Sequence, residues 1–98
     1  MLERDFQKKL IKSLEKKGYM VMKLDSGYLQ GVPDLLVLNG GRWATLEVKK
    51  NNRAVHQPNQ DFYVEKMNEM SFSRFISPEN KQEVISDMDI YLKGENTP

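Results

Sequence analysis

The feature that most constrains this chain is a pair of apolar segments separated by a short glycine turn. Residues 34–38 read DLLVL and residues 42–49 read RWATLEVK, with Asn39-Gly40-Gly41 between them. Asn-Gly and Gly-Gly pairs between apolar runs are strong signals for a β-hairpin, because these residues adopt the positive φ of tight turns at little cost. We therefore predict two antiparallel strands over these ranges.

The predicted hairpin brings two acidic residues together. Asp34 faces Glu47 directly if the two glycines form the turn, and it is a diagonal neighbour of Glu47 if the Asn-Gly pair does. A three-residue loop would shift the register and break this relationship. Strand alternation also divides β-strand residues between two faces: Trp43, Thr45, Glu47 and Lys49 on one, and Ala44, Leu46 and Val48 on the other.

Two carboxylates on opposed strands repel one another, so a cation is expected beside them. Lys49 on the same face offsets part of this charge, and a hard divalent cation such as Mg²⁺, which takes oxygen ligands, would offset it more fully. The alternative is that Asp34 is an ordinary turn aspartate and that Glu47 and Lys49 form a solvent-facing pair.

A third carboxylate comes from a helix predicted over residues 2–17. At about 100° per residue, Glu3 falls in the middle of the apolar arc of this helix, so we expect its carboxylate to point inward toward the same site. The alternative is that Glu3 only favours the positive end of the helix dipole. The arc consists of Leu2, Phe6, Leu10, Ile11 and Leu14.

The remaining pattern predicts the order α-β-β-β-α-β-α in one domain over residues 1–98. The other strands are expected at 19–24 and 73–76, and the tail 94–98 is expected to fray. The second helix has Pro58 in its first turn, and the last has Ser77 as N-cap before Pro78 and Glu79. The apolar positions of the second helix are Tyr63, Val64, Met67 and Met70, and those of the last are Val84, Ile85, Met88, Tyr91 and Leu92.

Composition excludes several kinds of site. The chain has 98 residues, no cysteine and one histidine, so disulfides and thiolate chemistry are ruled out and a histidine-built zinc site is disfavoured. No apolar run approaches the roughly 20 residues that span a bilayer, and the charged N-terminus does not match a signal peptide, so we expect a cytoplasmic protein. Basic residues are concentrated in residues 1–56 and acidic residues in 57–98, which keeps nucleic-acid binding open.

These residues resemble a known nuclease signature. A Pro-Asp pair ending at Asp34 and, after twelve residues, the triplet Glu47-Val48-Lys49 are similar to the PD-(D/E)xK motif, and the predicted element order matches the core of that superfamily. With Gln60 opening the next helix, residues 3–76 most resemble the small stand-alone VRR-NUC nucleases of phages and bacteria.

The resemblance implies a fold and a metal site. The fold would be a restriction-endonuclease-like α/β core, α-β-β-β-α-β, with an extra C-terminal helix. Asp34, Glu47 and the backbone carbonyl of Val48 would bind Mg²⁺ or Mn²⁺, and Glu3 would bind directly or through water.

The same resemblance implies roles for the other site residues. Lys49 would position or activate the attacking water and offset charge on the scissile phosphate, and Gln60 would orient the water or the DNA backbone. Gly31 would keep the approach to Asp34 open, unless it is a plain turn glycine. His56 is expected to be a solvated loop residue, with a DNA contact as the alternative.

Several basic side chains are candidate phosphate contacts, because Lys and Arg supply most of the affinity for a nucleic-acid backbone. They are Lys8 and Lys12 in the first helix, with Lys9, Lys16 and Lys17 beside them, and Lys50 and Arg53 after the predicted catalytic strand. No base-reading motif is present, so recognition by DNA shape is expected.

The resulting hypothesis is a metal-dependent, structure-selective DNA endonuclease. By resemblance and symmetry it would be a homodimer that cuts branched DNA, such as four-way junctions, in a bacterial or phage-infected cell. The alternatives are a non-catalytic DNA-binding module with the same fold, and a sugar- or nucleotide-binding protein of another fold.

Overall fold

The computed structural model describes residues 2–24 and 27–94, and these form an α/β fold of three helices and a four-stranded mixed sheet. The predicted order α-β-β-β-α-β-α is confirmed, whereas the predicted fraying of the tail falls on 95–98, outside the described residues. Among the described residues, no helix is long and apolar enough to cross a bilayer. The elements are α1 (Glu3–Lys16), β1 (Met20–Lys23), β2 (Leu35–Asn39), β3 (Arg42–Val48), α2 (Gln60–Met70), β4 (Phe72–Ile76) and α3 (Lys81–Lys93).

The sheet has the strand order β1-β2-β3-β4. β1, β2 and β3 are antiparallel neighbours, while β4 lies parallel to β3 after a crossover through α2, the type of connection that parallel neighbours require. Leu35 pairs with Leu46 and Asn39 with Arg42, so Gly40 and Gly41 form the two-residue turn. Of the registers considered from the sequence, this is the one that directs Asp34 toward Glu47.

The two faces of the sheet differ as the alternation predicts. Ala44, Leu46 and Val48 belong to the apolar core, which also contains residues of α1 and α3. On the other face, Thr45 Oγ1 donates to Ser73 Oγ at 2.8 Å and lies 3.5 Å from the sulfur of Met67 in α2. Helix α2 therefore covers the face that carries Glu47 and Lys49.

Two predicted helix starts were wrong. Helix α2 begins at Gln60, so Pro58 lies in the preceding turn and not in the first helical turn. Helix α3 begins after Asn80, three residues later than predicted. The backbone N–H of Ser77 donates to Asn80 Oδ1 at 2.8 Å, so the polar residues read as a helix cap instead stabilise the turn before the helix.

Three residues of the predicted apolar faces are exposed instead of packed in the core, among them Met70 of α2, which is 65% exposed. Leu2 is extended, precedes α1 and is 57% exposed, while Tyr91 of α3 is 41% exposed. The other members of the α1 arc, Phe6, Leu10 and Leu14, are buried, and Ile11 packs against the core. The prediction for Leu2 was wrong because a residue at the start of a helix is not held in helical geometry by a preceding turn.

A buried ionic cluster connects the end of α1 to α3. Asp89 is fully buried and accepts hydrogen bonds from Tyr19 Oη at 2.6 Å and from Lys17 Nζ at 2.5 Å. Lys93 Nζ in turn donates to the carbonyl of Lys17 at 2.6 Å. The sequence gives no local signal for this cluster, because Tyr19 and Asp89 are 70 residues apart in the chain.

Candidate active site at the end of the hairpin

The site begins where the ladder between β2 and β3 stops. Asp34 immediately precedes β2, and its Oδ2 accepts a hydrogen bond from the backbone N–H of Val48, the last residue of β3, at 2.9 Å. A side chain thus closes the hairpin where the main-chain pairing of Leu35 with Leu46 ends. This bond fixes one carboxylate at the end of the strand that carries the other.

Glu47 is a buried carboxyl group with an unsatisfied oxygen. It is 3% exposed, and its Oε2 accepts a hydrogen bond from Gln60 Nε2 at 3.2 Å. Its Oε1 is buried and has no hydrogen-bond partner among the described residues. Two ionised carboxylates offer no donor to each other, so Oε1 can bond to neighbouring Asp34 only when one of the two carries a proton.

The electrostatics of this pair favour a proton or a cation. Burial raises the pKa of Glu47 to about 9, and the hydrogen bond and charge of Asp34 act in the same direction. The ammonium of Lys49 lowers this pKa, and the more weakly acting Glu3 raises it. A buried carboxyl pair of this kind is stabilised by a proton or by a bound cation.

Lys49 is held by two acceptors on the same buried face. Its side chain is 7% exposed, and Nζ donates to the carbonyl of Val55 at 3.0 Å and to Gln60 Oε1 at 2.7 Å. Since Gln60 also donates to Glu47, its amide connects the lysine to the carboxyl group. A second donor, the backbone N–H of Gln57 at 2.8 Å, fixes the orientation of that amide.

Gly31 packs closely against the turn that precedes Gln60. It has φ of +93°, and a Cβ at this position would lie 2.7 Å from Cβ of Asn59 and 2.8 Å from the carbonyl oxygen of Pro58. Asn59 itself adopts the left-handed conformation with φ of 72°. Glycine is thus required for contact with the turn before α2, a more specific reason than the open approach to Asp34 expected from the sequence.

Glu3 is not gathered with the other acids. It is the first residue of α1 and is exposed, in contrast to the inward orientation predicted from the apolar arc, and its charge contributes to raising the pKa of Glu47. Within residues 2–24 and 27–94, no group of three or more His, Asp or Glu side chains is arranged to hold one metal ion. Any carboxylate ligands would therefore be Asp34 and Glu47, with Glu3 acting from a distance.

The predicted DNA-binding residues lie outside this centre. Lys8 and Lys12 are exposed along α1, where they line a shallow groove with Lys9 and Asp5. Lys50 and Arg53 are exposed after β3. The structure thus brings together Asp34, Glu47, Lys49 and Gln60 and leaves the basic residues on the surface.

His56 is an exposed loop residue, as expected, and its ring also makes two side-chain contacts. Its ring stacks on Phe75 with centroids 3.9 Å apart and an interplanar angle of 12°, and Nδ1 lies 2.7 Å from Asp61 Oδ1. Sequence reasoning missed this stack, and it also missed the carbonyl of Val55 as a partner of Lys49. Neither leaves a pattern in the sequence, because one joins a loop to a strand and the other is a main-chain atom.

Comparison with protein-family models, with curated proteins and with solved structures finds no significant match to this chain. The functional argument therefore depends on the geometry of the site and on the signature residues.

Proposed function

We propose that this protein is a metal-dependent DNA endonuclease with a PD-(D/E)xK core, of the small VRR-NUC type. The observation that carries the proposal is the buried, unpartnered Oε1 of Glu47 beside Asp34, with Lys49 on the same face. A purely structural carboxyl group in this position would be expected to have a donor, because burying an unsatisfied polar atom costs about 1–3 kcal/mol.

The residues present fit a hard divalent cation. Asp34 and Glu47 would hold Mg²⁺ or Mn²⁺ together with the backbone carbonyl of Val48 and water, and Glu3 would contribute through water. Mg²⁺ is commonly bound by one or two carboxylates and retains several waters, so a third protein carboxylate is not needed. When bound, such an ion makes water more acidic and stabilises charge on a phosphoryl oxygen.

The chain's own groups account for the remaining requirements of phosphodiester hydrolysis. Lys49 supplies a fixed positive charge for a non-bridging phosphate oxygen or for the attacking water. Gln60 keeps Lys49 and Glu47 apart and oriented, since its carbonyl accepts from one and its NH₂ group donates to the other. Preorganisation of this kind means that little side-chain reorganisation accompanies the reaction.

The DNA would be held mainly through its backbone. Lys8, Lys12, Lys50 and Arg53 are exposed and would contact phosphates, which gives affinity without sequence specificity. Selection would then rest on the shape of the DNA, with branched substrates such as four-way junctions as the proposed class. Action in the cytoplasm of a bacterial or phage-infected cell is part of the same proposal.

An exposed apolar face supports a homodimer. Met20 and Met22 of the edge strand β1 are 63% and 49% exposed, and across β1 and β2 they lie opposite Leu38 and Leu36, next to Trp43. Helix α2 packs on β3 and β4, and the two methionines of β1 remain exposed. A second copy whose β1 pairs antiparallel about a two-fold axis would cover the methionines and satisfy the open strand edge.

The direct test is cleavage of labelled four-way junction, splayed-arm, single-stranded and duplex DNA in Mg²⁺ or Mn²⁺. We expect the wild type to cut and Asp34→Asn and Lys49→Ala to fail, while Asp87→Asn, which changes an exposed carboxylate on α3, cuts normally. Binding without cleavage by the wild type in either metal would contradict the enzyme and favour the non-catalytic DNA-binding module.

A further inference from the structure

A small cavity lies next to the candidate active site and shares Lys49 with it. Its volume is about 190 Å³. It opens beyond the C-terminal ends of the parallel strands β3 and β4, the edge at which α/β sheets generally bind ligands. Besides Lys49, its lining includes Asn51, Asn52, His56, Phe75, Ser77 and Asn80.

The size and shape of this cavity suit one small planar group. Pockets for drug-sized ligands have roughly 300–1,000 Å³, so this cavity is too small for a whole oligonucleotide segment. One wall is the stacked pair of His56 and Phe75. Aromatic side chains of this kind are the surfaces on which unpaired nucleobases stack in proteins that bind single strands.

Free amide donors line the same cavity. Asn52 Oδ1 accepts from Ser77 Oγ at 2.5 Å, and Asn51 Oδ1 accepts from the backbone N–H of Arg53 at 2.9 Å. In the part of the chain that the structure describes, the NH₂ groups of both asparagines make no hydrogen bond. These two fixed amides can therefore donate to the carbonyl oxygens of a base.

The charges favour a neutral base over a phosphate. Among the described residues, the lining contains no Lys or Arg besides Lys49, which lies at the end shared with the carboxylate pair, and His56 is paired with Asp61. Near the asparagines, the carboxylate of Glu79 accepts from the backbone N–H of Asn52 at 2.5 Å, and its negative charge would repel a phosphate there. A phosphate near Lys49 and a base near Asn52 is the arrangement that these charges permit.

We propose that this cavity binds one unpaired nucleobase of the DNA strand, adjacent to the phosphate that Lys49 contacts. This inference rests on the proposed nuclease function and specifies its substrate: a strand with at least one unpaired nucleotide at the cleavage site. It gives a physical reason for selecting branched DNA, because duplex ends and junctions release bases more easily than a continuous helix does.

The test compares two labelled splayed-arm DNAs that differ only in one unpaired nucleotide beside the fork, which is thymidine in one and an abasic site in the other. Binding is measured by fluorescence anisotropy in EDTA, where a metal-dependent nuclease cannot cut, and cleavage is measured separately in Mg²⁺. We expect the wild type to bind the thymidine substrate at least about fivefold more tightly, as base stacking on an aromatic side chain would give.

Two variants test the lining of the cavity. Asn52→Asp removes the free NH₂ group but keeps the oxygen that accepts from Ser77, and we expect it to lose the preference for thymidine, as His56→Ala does. Asn68→Asp is the matched control, because it adds the same charge at an exposed position on α2. It also keeps the side-chain oxygen that accepts from the backbone N–H of Ser73. This variant should retain the preference for the thymidine substrate.

The outcomes separate this inference from the nuclease itself. Equal wild-type binding of both DNAs, together with cleavage in Mg²⁺, overturns the base site and leaves the nuclease standing. Absence of both binding and cleavage defeats the proposed function. Circular dichroism reports whether the variants are folded, and if one is not, the wild-type comparison of thymidine with the abasic site still decides.

Discussion

Lys49 at the end of β3 and Gln60 at the start of α2 are joined by a 2.7 Å hydrogen bond from Nζ to Oε1. The same amide donates a hydrogen bond to Glu47. One side chain at the start of α2 therefore contacts both the lysine that we propose for catalysis and its neighbouring carboxyl group. The position of α2 is thereby connected directly to the chemistry proposed for the strand.

Replacing that amide should therefore affect turnover more than DNA binding. We expect Gln60→Ala to lower kcat about 10- to 100-fold, the usual cost of losing a residue that orients an active-site group, with KM nearly unchanged. Gln82→Ala, an exposed glutamine on α3, is the control. A Gln60→Ala variant with full kcat would show that Lys49 needs no such support.

The buried carboxyl group should give the metal-free protein a characteristic pH dependence. Glu47 titrates near 4.5 when unfolded and near 9 when folded, so between these values the folded state binds more protons and stability falls as pH rises. In EDTA, the free energy of unfolding should fall as pH rises across this window, and it should fall less in Glu47→Gln. Urea unfolding from pH 5 to pH 8.5 measures this; identical slopes for both proteins would contradict the assignment.

Gly31 provides a test of backbone geometry. Because its φ is +93° and an added Cβ would collide with the backbone of Pro58, Gly31→Ala should destabilise the protein by about 1–3 kcal/mol. Gly41→Ala is the comparison, since that position has no neighbour within 4 Å and no positive φ. It should change stability by less than about 0.5 kcal/mol in the same chemical denaturation.

The buried cluster around Asp89 should be important for folding and not for catalysis. Asp89→Ala removes the carboxylate that accepts from both Tyr19 and Lys17 and should cost about 3–5 kcal/mol. Asp87→Ala, on the exposed side of the same helix, should be nearly neutral. Thermal unfolding followed by circular dichroism compares the two; equal melting temperatures would mean that the cluster contributes little.

The uncovered face of β1 predicts the oligomeric state. We expect the wild type to be a dimer by analytical ultracentrifugation and Met22→Lys to be a folded monomer, because a charge in the centre of an apolar interface is costly. Ile90→Lys, at a position 52% exposed on α3, should remain dimeric. A monomeric wild type, or a dimeric Met22→Lys, would remove this face as the interface.

The hairpin could be predicted from sequence because its determinants are local. A two-residue turn within Asn39-Gly40-Gly41 allows two registers, and in both of them alternation puts Asp34 and Glu47 on the same face. These local constraints are sufficient to predict that Asp34, Glu47 and Lys49 lie together at one end of the sheet.

Other features depend on contacts between distant segments. The stack of His56 on Phe75 and the bonds of Asp89 to Lys17 and Tyr19 join residues far apart in the chain, which no local pattern encodes. The start of α3 was misplaced because Ser and Asn bond to nearby backbone groups in turns as readily as at helix ends. Near Ser77, these side chains form hydrogen bonds within the turn that precedes the helix.

The hydrogen bond from the backbone N–H of Val48 to Asp34 Oδ2 affects how an inactive form of this protein should be made. Asp34→Ala would remove a proposed metal ligand and, at the same time, the hydrogen bond that joins the open end of the hairpin. A loss of cleavage in that variant would not distinguish a displaced Glu47 from the loss of a metal ligand. Asparagine at position 34 retains the oxygen that accepts this bond while abolishing the negative charge. It is therefore the substitution suited to trapping an uncut DNA complex with an undisturbed scaffold.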